Sequence, residues 1–361
     1  MLEKALQILQ MKTLLKWPGG KESELPVIRQ YMPEFSGRYI EPFVGGGAAF
    51  FDTDARMSCI NDRSRELINL YRCVQKQDKD FAECIRSFSG EFTSLGQLVD
   101  NSRENLLRLY TGGLSIDSFI ESNKSMFSKM ARLDNSCFIS ELRRNLSGKL
   151  KRSHRLEETR GPLPNKDRID NLEAALKSAY YMYVRHLLNT SESFSPGVQA
   201  AVFFFVREFC YSSMFRYNSR GEFNVPYGGI SYNNKDIQKK VDYLLGEIVR
   251  KLENTLICCK DFEEFITSLK PTREDFIFLD PPYDTDFSSY SGNEFGQSEH
   301  IRLCECLKRT PARILLVIKN TDFIYDLYKD GFNIKYFDKK YAVSFKNRNS
   351  RDVRHLIITK A

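Results

Sequence analysis

Short runs of strand-forming residues occur in two blocks of the chain, and the long segment between the blocks shows helical periodicity instead. The runs are apolar or aromatic, and turn residues bound them. In chain order they are residues 38–41, 57–61, 255–258, 276–279, 313–318, 332–336 and 355–358. Because helical patterns fall between most of them, the chain is predicted to form an α/β fold with a largely parallel sheet. The segment between the blocks is predicted to be a helical insertion, which divides the chain into domains at 1–75, 76–250 and 251–361.

The overall composition fits a globular protein without a membrane-spanning segment. Hydrophobic residues make up 42% of the 361 residues, and no apolar run reaches the roughly 20 residues that a bilayer requires. The stretch 1–12 carries an acidic residue, Glu3, and is expected to form a short amphipathic helix and not a signal peptide. Nine cysteines without paired CxxC spacing indicate reduced thiols in a cytoplasmic protein, and no metal site is expected.

Basic residues are concentrated in one part of the predicted insertion. The formal net charge of +7 permits a polyanionic partner but does not require one. The cluster comprises Arg143, Arg144, Lys149, Lys151, Arg152, Arg155, Arg160, Lys166 and Arg168. Two interpretations stay open, a solvated helix face or loop and a patch that contacts phosphates.

The stretch FIFLDPPYDT, residues 276–285, ends a predicted strand in an unusual way. Pro281 and Pro282 remove two backbone donors and fix two φ angles, so the chain leaves the sheet in a stiff, extended direction. This geometry would hold Asp280 and Tyr283 at the carboxyl edge of the sheet, where open α/β sheets bind ligands. Two prolines alone would also fit a strand that simply ends in a turn.

A glycine-rich turn, EPFVGGG at residues 41–47, follows the first predicted strand. Gly45 and Gly47 allow a tight turn and a close approach of the backbone to a ligand. The second strand ends in Asn61 and Asp62, and an acid at this place is suited to bind a ribose diol. The two features together predict a nucleoside-containing cofactor. Asp62 could otherwise cap the helix that begins near Ser64, or serve in both roles.

Five motifs follow one another along the chain in an order that is typical of one protein family. They are LKWPGGK at residues 15–21, EPFVGGG at 41–47, IND at 60–62, RYNSRGEFNVPYGG at 216–229 and DPPY at 280–283. The set resembles the Dam-type (α-class) DNA adenine N6-methyltransferases, in which the cofactor motif, the recognition domain and DPPY occur in this order. The similarity covers most of residues 14–75 and 200–358, and it leaves about 76–195 without a counterpart. It implies a Rossmann-like methyltransferase sheet with an inserted, mainly helical DNA-recognition domain.

The resemblance implies a site-specific methyl transfer from S-adenosylmethionine to the exocyclic amino group of an adenine in double-stranded DNA. The base would be flipped out of the duplex, as enzymes that act on a base require. The Asp280 carboxylate and the Pro281 carbonyl would accept the two amino hydrogens, and Pro282 would help to stiffen the loop. Tyr283 would stack on the flipped base.

The resemblance also implies a set of cofactor-binding residues. S-adenosylmethionine is expected to contact Trp17, Lys21, Glu41, Phe43, Gly45, Gly47, Asp62, Asp261, Phe262 and Asp280. Among these, Glu41 is the candidate partner of the methionine moiety and Asp62 that of the ribose hydroxyls. Asp261 and Phe262 would contact the adenine ring, although Asp261 could equally be the N-cap of a helix.

The expected DNA contacts come mainly from a segment that resembles the family's target-recognition hairpin. They are Lys16, Tyr211, Arg216, Asn218, Arg220, Asn224 and Arg348. Arg216 aligns with an arginine that reads a guanine in GATC-specific members, and arginine suits a bidentate guanine contact. Arg220 would either bind phosphate or pair with Glu222, and Arg348 lies in a basic loop at 343–351. The positions just before Arg216 depart in part from the GATC-specific pattern, so no target sequence is predicted.

Other functions stay open beside DNA adenine methylation. The chain could be a catalytically inactive or partner-dependent DNA-binding subunit of a restriction-modification or other defence system. It could also methylate the amino group of cytosine, which requires the same acceptors, or act on RNA. As an enzyme it is expected to work as a monomer, with no membrane association, and a protein partner could bind the 76–195 insertion.

Overall fold

The computed structural model describes residues 13–283, 295–340 and 352–360. The chain divides into two compact units. One, the sheet unit, consists of Met1–Gln75 and Glu247–Ala361, and the other, the helical unit, is Lys76–Gly246. The expected N-terminal helix and the basic loop that contains Arg348 lie outside the described residues.

A seven-stranded sheet forms the centre of the sheet unit. Its strands are β1 (Tyr39–Glu41), β2 (Ser58–Asn61), β3 (Thr255–Cys258), β4 (Phe276–Leu279), β5 (Arg313–Lys319), β6 (Asn333–Lys340) and β7 (Asp352–Lys360). Their spatial order is β3-β2-β1-β4-β5-β7-β6. Strands β1 to β5 pair in parallel, and β7 runs antiparallel to both β5 and β6. The predicted α/β class and the largely parallel sheet are therefore confirmed.

Burial along the strands explains why the sequence pattern revealed them. Strands β1 and β4 are buried at every residue, and β5 is buried at all but its two end residues. Central strands of a parallel sheet are covered on both faces, so they appear as continuous apolar runs. Each of the seven predicted runs overlaps one of the observed strands.

Helices connect the strands and make up most of the helical unit. In chain order they are α1 (Leu25–Tyr31), α2 (Ala48–Asp52), α3 (Arg65–Gln75), α4 (Lys79–Asn101), α5 (Arg103–Tyr110), α6 (Ile116–Ser122), α7 (Lys124–Met130), α8 (Asn135–Arg160), α9 (Asn165–Asn189), α10 (Pro196–Phe209), α11 (Ile237–Tyr243), α12 (Val249–Leu252), α13 (Phe262–Leu269), α14 (Gln297–Arg309) and α15 (Asp322–Tyr328). A π-helical turn at Leu244–Ile248 separates α11 from α12. Within the described ranges, none of the helices has the length and apolar character needed to span a bilayer.

Local sequence signals begin the long helices of the helical unit. The side chains of Asp78, Asp134 and Ser195 accept N–H groups in the first turns of α4, α8 and α10. Such N-caps satisfy backbone donors that have no partner within the helix. Aromatic rings fill the core between these helices, for example Phe92 and Phe209, whose centroids are 4.3 Å apart. The assignment of this unit to DNA recognition stays a prediction.

Candidate active site

Three acidic residues lie at the carboxyl ends of three adjacent strands. Glu41 is the last residue of β1, Asp62 follows β2, and Asp280 follows β4. Strand β1 lies between β2 and β4, and both neighbours run parallel to it. The three acids are therefore at the same edge of the sheet, which is the edge where open α/β sheets bind ligands.

The glycine-rich turn after β1 lies directly against the only tryptophan of the chain. Gly45 and Gly47 have φ angles of +49° and +82°, in the left-handed region that favours glycine. A Cβ atom on Gly45 would be 2.8 Å from Cδ1 of Trp17, so only glycine permits this contact. A Cβ atom on Gly47 would be 2.6 Å from the ring of Phe51. The structure thus brings together three residues that the sequence assigned to the cofactor.

Asp62 holds the glycine turn in place through its carboxylate. Its Oδ2 accepts the N–H of Gly45 at 3.0 Å, and its Oδ1 accepts the N–H of Ser64 at 2.9 Å. The cap of α3 is Ser64, whose Oγ accepts the N–H of Leu67 at 3.2 Å, so the alternative assignment of Asp62 as the cap is wrong. Burial raises the pKa of Asp62, and the N–H groups of Ser64 and Gly45 partly oppose this rise.

Glu41 is buried beside the other two acids. Only 2% of the residue is exposed, and the Tyr39 hydroxyl donates to its Oε2 at 2.7 Å. Burial raises the pKa of Glu41 well above its ordinary value. The hydrogen bond from Tyr39 lowers this pKa, whereas the negative charges of Asp280 and Asp62 raise it further. Burial is thus the main reason that Glu41 favours its protonated form, and the two neighbouring carboxylates add to this effect.

Lys21 provides the positive charge next to Asp280. Its Nζ donates to Asp280 Oδ1 and, at 3.0 Å, to the carbonyl oxygen of Gly19. The same Nζ lies 5.2 Å from the ring centroid of Tyr283, within the range of a cation–π interaction. Lys21 is 2% exposed, and Pro281 is also buried. Pro282 is exposed and Tyr283 is half-buried.

A buried histidine contacts Tyr283 and was not identified from the sequence. His355 in β7 is fully buried, and its ring meets the Tyr283 ring edge-on with centroids 5.6 Å apart. His355 Nδ1 lies 3.2 Å from Oε2 of Glu24, which is also buried. The available signal was a histidine at the start of the apolar run HLII, where an ionisable side chain needs a partner.

The residues expected at the adenine ring lie at the start of α13, where Phe262 packs against Phe43 from the turn after β1. Phe43 and Phe262 have ring centroids 5.7 Å apart, and Phe262 is 1% exposed. Asp261 is the N-cap of α13 and accepts the N–H of Glu263 at 3.0 Å. It also forms a 2.6 Å salt bridge with Arg302, a partner that the sequence did not suggest. The interpretation of Asp261 as an N-cap is confirmed, and a contact with adenine stays a prediction.

The segment expected to read DNA is a small hairpin of the helical unit. Tyr217 and Phe223 form an antiparallel bridge within it. The Arg216 guanidinium is exposed and donates to the Oδ1 and carbonyl oxygen of Asn224 at 2.6 Å and 2.8 Å. Asn224 therefore fixes the orientation of the Arg216 guanidinium.

The turn of this hairpin is organised by Asn218. Its Oδ1 accepts the N–H groups of Arg220 and Glu222 at 2.9 Å and 3.0 Å. Arg220 pairs with Glu222 at 3.1 Å, as one of the two sequence interpretations predicted, and 78% of its side chain is exposed. Tyr211 is 47% exposed in the same unit, and Lys16 is exposed in the sheet unit.

One group of potential metal ligands occurs among the described residues. Asp134, Cys137 and His186, in the helical unit, offer ligand atoms within 4.8 Å of one another. Asp134 caps α8 by accepting the N–H of Cys137 at 3.0 Å, and His186 Nε2 lies 3.6 Å from Asp134 Oδ2. A helix cap and a surface ion pair explain this group without a metal ion.

Comparison with known proteins finds similarity along almost the whole chain. A family model described as "D12 class N6 adenine-specific DNA methyltransferase" matches residues 17–153 and 165–343. "Type II methyltransferase M.CviBI" of Paramecium bursaria Chlorella virus NC1A is 28% identical, over 96% of this chain and 99% of that protein. "Type II methyltransferase M1.LlaDCHI" of Lactococcus lactis subsp. cremoris is 26% identical, over 97% of this chain and 96% of that protein. "DNA adenine methylase" of Haemophilus influenzae is 23% identical, over 97% of this chain and 93% of that protein.

Proposed function

The chain belongs to the family of D12 class N6 adenine-specific DNA methyltransferases, and from this premise we propose which of its residues carry out the methyl transfer. The family resemblance inferred from the motifs is thereby confirmed, but the expectation that residues 76–195 have no counterpart in the family is wrong, because the family model matches residues 17–153 and 165–343. The protein is a transferase that methylates adenine in DNA. The observation that best supports the residue assignment is the convergence of Glu41, Asp62 and Asp280 at one sheet edge, with the glycine turn beside them.

The proposed cofactor is S-adenosylmethionine, which when bound supplies an electrophilic methyl group on a positively charged sulfur. The residues present fit such a group because three carboxylates, those of Glu41, Asp62 and Asp280, lie at one sheet edge and can accept hydroxyl and ammonium groups. Trp17 would line one side of the site, with Lys21 and Phe43 nearby, and Asp62 would accept the ribose hydroxyls. Glu41 is assigned to the methionine moiety.

The adenine end of the cofactor is assigned to the start of α13. The ring of Phe262, which packs against Phe43 after β1, would also pack against the adenine ring. Asp261 would accept the adenine amino group while remaining the cap of the helix. Arg302, which pairs with Asp261 at 2.6 Å, would fix the orientation of that carboxylate.

Asp280 and Pro281 are assigned to the target base. The exocyclic nitrogen of adenine is a poor nucleophile, because its lone pair is delocalised into the ring. Accepting its two hydrogens, one at the Asp280 carboxylate and one at the Pro281 carbonyl, raises electron density on nitrogen and orients its lone pair. Pro282 limits the conformations of the loop, and Tyr283 would stack on the flipped base, a contact worth roughly 1–3 kcal/mol.

DNA recognition is assigned to the hairpin at 215–228 together with two basic residues of the sheet unit. Arg216 would read a guanine, oriented by Asn224, while Arg220 and Asn218 would contact the backbone next to it. Tyr211, Lys16 and Arg348 are further proposed DNA contacts.

The basic cluster of the helical unit would enlarge the DNA footprint only in part. Arg143, Arg144 and Arg168 form ion pairs with Asp117, Glu141 and Glu157. The exposed residues Lys151, Arg152, Arg155 and Arg160 are the stronger candidates for phosphate contacts. We also propose that the enzyme acts as a monomer and that residues 76–195 can bind a protein partner.

Methylation of unmethylated bacterial DNA tests the proposed function directly. Incubation with S-adenosylmethionine, followed by single-molecule sequencing, should reveal N6-methyladenine in one short motif. Asp280→Ala should abolish methylation and leave DNA affinity intact, whereas Asp326→Ala, at an exposed ion pair, should behave as wild type. Methylated cytosine, or cofactor binding without any modification, would instead favour the cytosine or the partner-dependent alternative.

A further inference from the structure

Two buried charged side chains arise from the turn that precedes α1. Glu24 N donates to the carbonyl oxygen of Lys21 at 2.9 Å, and Leu25 N donates to the same oxygen at 3.0 Å. Lys21 is 2% exposed and Glu24 is 3% exposed. Burial of an ion is unfavourable unless a partner compensates its charge, so the partners of these two residues indicate what the turn does.

The partner of Lys21 belongs to the catalytic segment. The Lys21 ammonium donates to Asp280 Oδ1 and lies 5.2 Å from the Tyr283 ring centroid. The Gly19 carbonyl accepts a further hydrogen bond from it, which anchors the ammonium to its own loop. An ammonium held in this way restricts the orientation of the Asp280 carboxylate. It also balances the negative charge next to Glu41.

The partner of Glu24 contacts the other functional side chain of the same segment. His355 Nδ1 lies 3.2 Å from Glu24 Oε2, and the His355 ring meets the Tyr283 ring edge-on. Strand β7 pairs His355 with Lys319 on one side and with Phe337 on the other. Because the sheet fixes the backbone of His355 on both sides, its imidazole is a rigid support for the tyrosine ring.

We propose that the turn from Lys21 to Glu24 positions both functional side chains of the DPPY segment, Asp280 through the Lys21 ammonium and Tyr283 through the Glu24–His355 pair. Lys21 and His355 are then positioning residues of the methyl transfer, and Lys21 is not primarily a cofactor ligand. The inference rests on the proposed roles of Asp280 and Tyr283. A displacement of about 1 Å in such groups lowers the rate by roughly 100-fold.

Lys21→Met tests the first part, because methionine keeps much of the side-chain volume and removes the charge. The single-turnover methylation rate should fall about 10- to 100-fold. The dissociation constant of S-adenosylmethionine should stay within about twofold of wild type. Lys177→Met is the matched control, since Lys177 forms a buried ion pair with Glu173 at 2.6 Å. The control should lower thermal stability but leave the rate per folded molecule unchanged.

A double-mutant cycle establishes whether Lys21 acts through Asp280. In an Asp280→Asn background, Lys21→Met should have little further effect on the rate, because the group that it positions has lost its charge. Equal losses in both backgrounds would overturn the inference. A loss of cofactor affinity equal to the loss in rate would also overturn it, and would restore Lys21 as a cofactor ligand.

Base stacking tests the second part with a readout other than methylation. DNA that carries 2-aminopurine at the target position becomes fluorescent when the base leaves the stack and is quenched again by aromatic stacking. His355→Phe and the milder Glu24→Gln should both change this signal in the DNA complex, at unchanged cofactor affinity. Wild-type fluorescence and rate in both variants would overturn this part. An inactive wild-type enzyme would instead refute the proposed function, and the inference with it.

Discussion

Asp62→Asn separates two roles of one carboxylate, fixing the glycine turn and binding the cofactor. The substitution keeps the shape of the side chain and replaces one acceptor oxygen by an NH₂ group. In the native protein, both oxygens accept backbone N–H groups, from Gly45 at 3.0 Å and from Ser64 at 2.9 Å. Whichever way the asparagine amide is turned, one of these two donors faces another donor.

The size of the effect follows from these contacts. A hydrogen bond to an ionised group contributes about 1.5–3 kcal/mol, so the loss of one such bond should lower the free energy of unfolding by about 2 kcal/mol. If the carboxylate also accepts the ribose hydroxyls, the cofactor loses a similar contribution, which corresponds to an affinity about 10- to 100-fold weaker. A role in the turn alone predicts the first effect without the second.

Asp275→Asn is the matched control, because Asp275 occupies the opposite edge of the same sheet. It precedes β4, is buried, and accepts the N–H groups of Arg38 at 2.7 Å and Thr272 at 2.8 Å. The control should lose stability in the same way and bind the cofactor as wild type does. Trp17, the only tryptophan, provides an intrinsic fluorescence signal for the titration, since it lies against Gly45. An Asp62→Asn affinity equal to that of the control would refute the assignment of Asp62 to the cofactor.

Three further predictions concern backbone conformation, pH and base reading. Gly47→Ala should lower the free energy of unfolding in urea by about 1–3 kcal/mol, because φ is +82° and the added methyl group meets an aromatic ring. Gly90→Ala in α4 is the control: its methyl group meets open space, so the variant should be as stable as wild type or more stable. Burial alone would raise the pKa of Asp275, but hydrogen bonds from Arg38 and Thr272 outweigh this effect and lower the pKa to about 2. Since this folded-state pKa is depressed, Asp275 contributes about 2 kcal/mol to the free energy of unfolding above pH ~4. In an acid titration of stability, this contribution should be lost as the pH falls toward ~2. The Asp275→Asn variant should not show that loss. In competition assays on variant oligonucleotides, Arg216→Met should relax selection at one base position by about 1–3 kcal/mol, while Arg220→Met should mainly reduce the salt dependence of binding.

The sheet was predictable because its central strands are apolar on both faces, whereas the order of its last strands was not. The run 355–358 was identified as a strand from its composition. Nothing in that run indicated that β7 lies between β5 and β6, although it follows both in the chain. Pairing across that distance depends on tertiary contacts that no local pattern encodes. The same limitation hid the contact between His355 and Tyr283.

The site residues divide in the same way between local and distant determinants. The glycine turn and the acid after β2 form one short unit, so their proximity followed from the motif spacing. Which residue capped α3 did not follow, because Asp62 and Ser64 are both good caps and only the structure shows that Ser64 is used. The contact between Lys21 and Asp280 joins residues 259 positions apart, and family similarity suggested only that Lys21 lies near the cofactor.

The charges at the sheet edge suit a reaction that moves a positive charge over a short distance. Methyl transfer from a sulfonium to an amine transfers a unit of positive charge to the accepting nitrogen. On the proposed roles, Glu41 and Asp62 lie on the cofactor side and Asp280 on the base side, at the ends of three adjacent parallel strands. Burial raises the pKa of Glu41 most, and the neighbouring charges of Asp280 and Asp62 raise it further. On these roles the edge would stabilise the positive charge before and after transfer. The Lys21 ammonium, which pairs with Asp280, would keep that carboxylate oriented without neutralising the whole cluster.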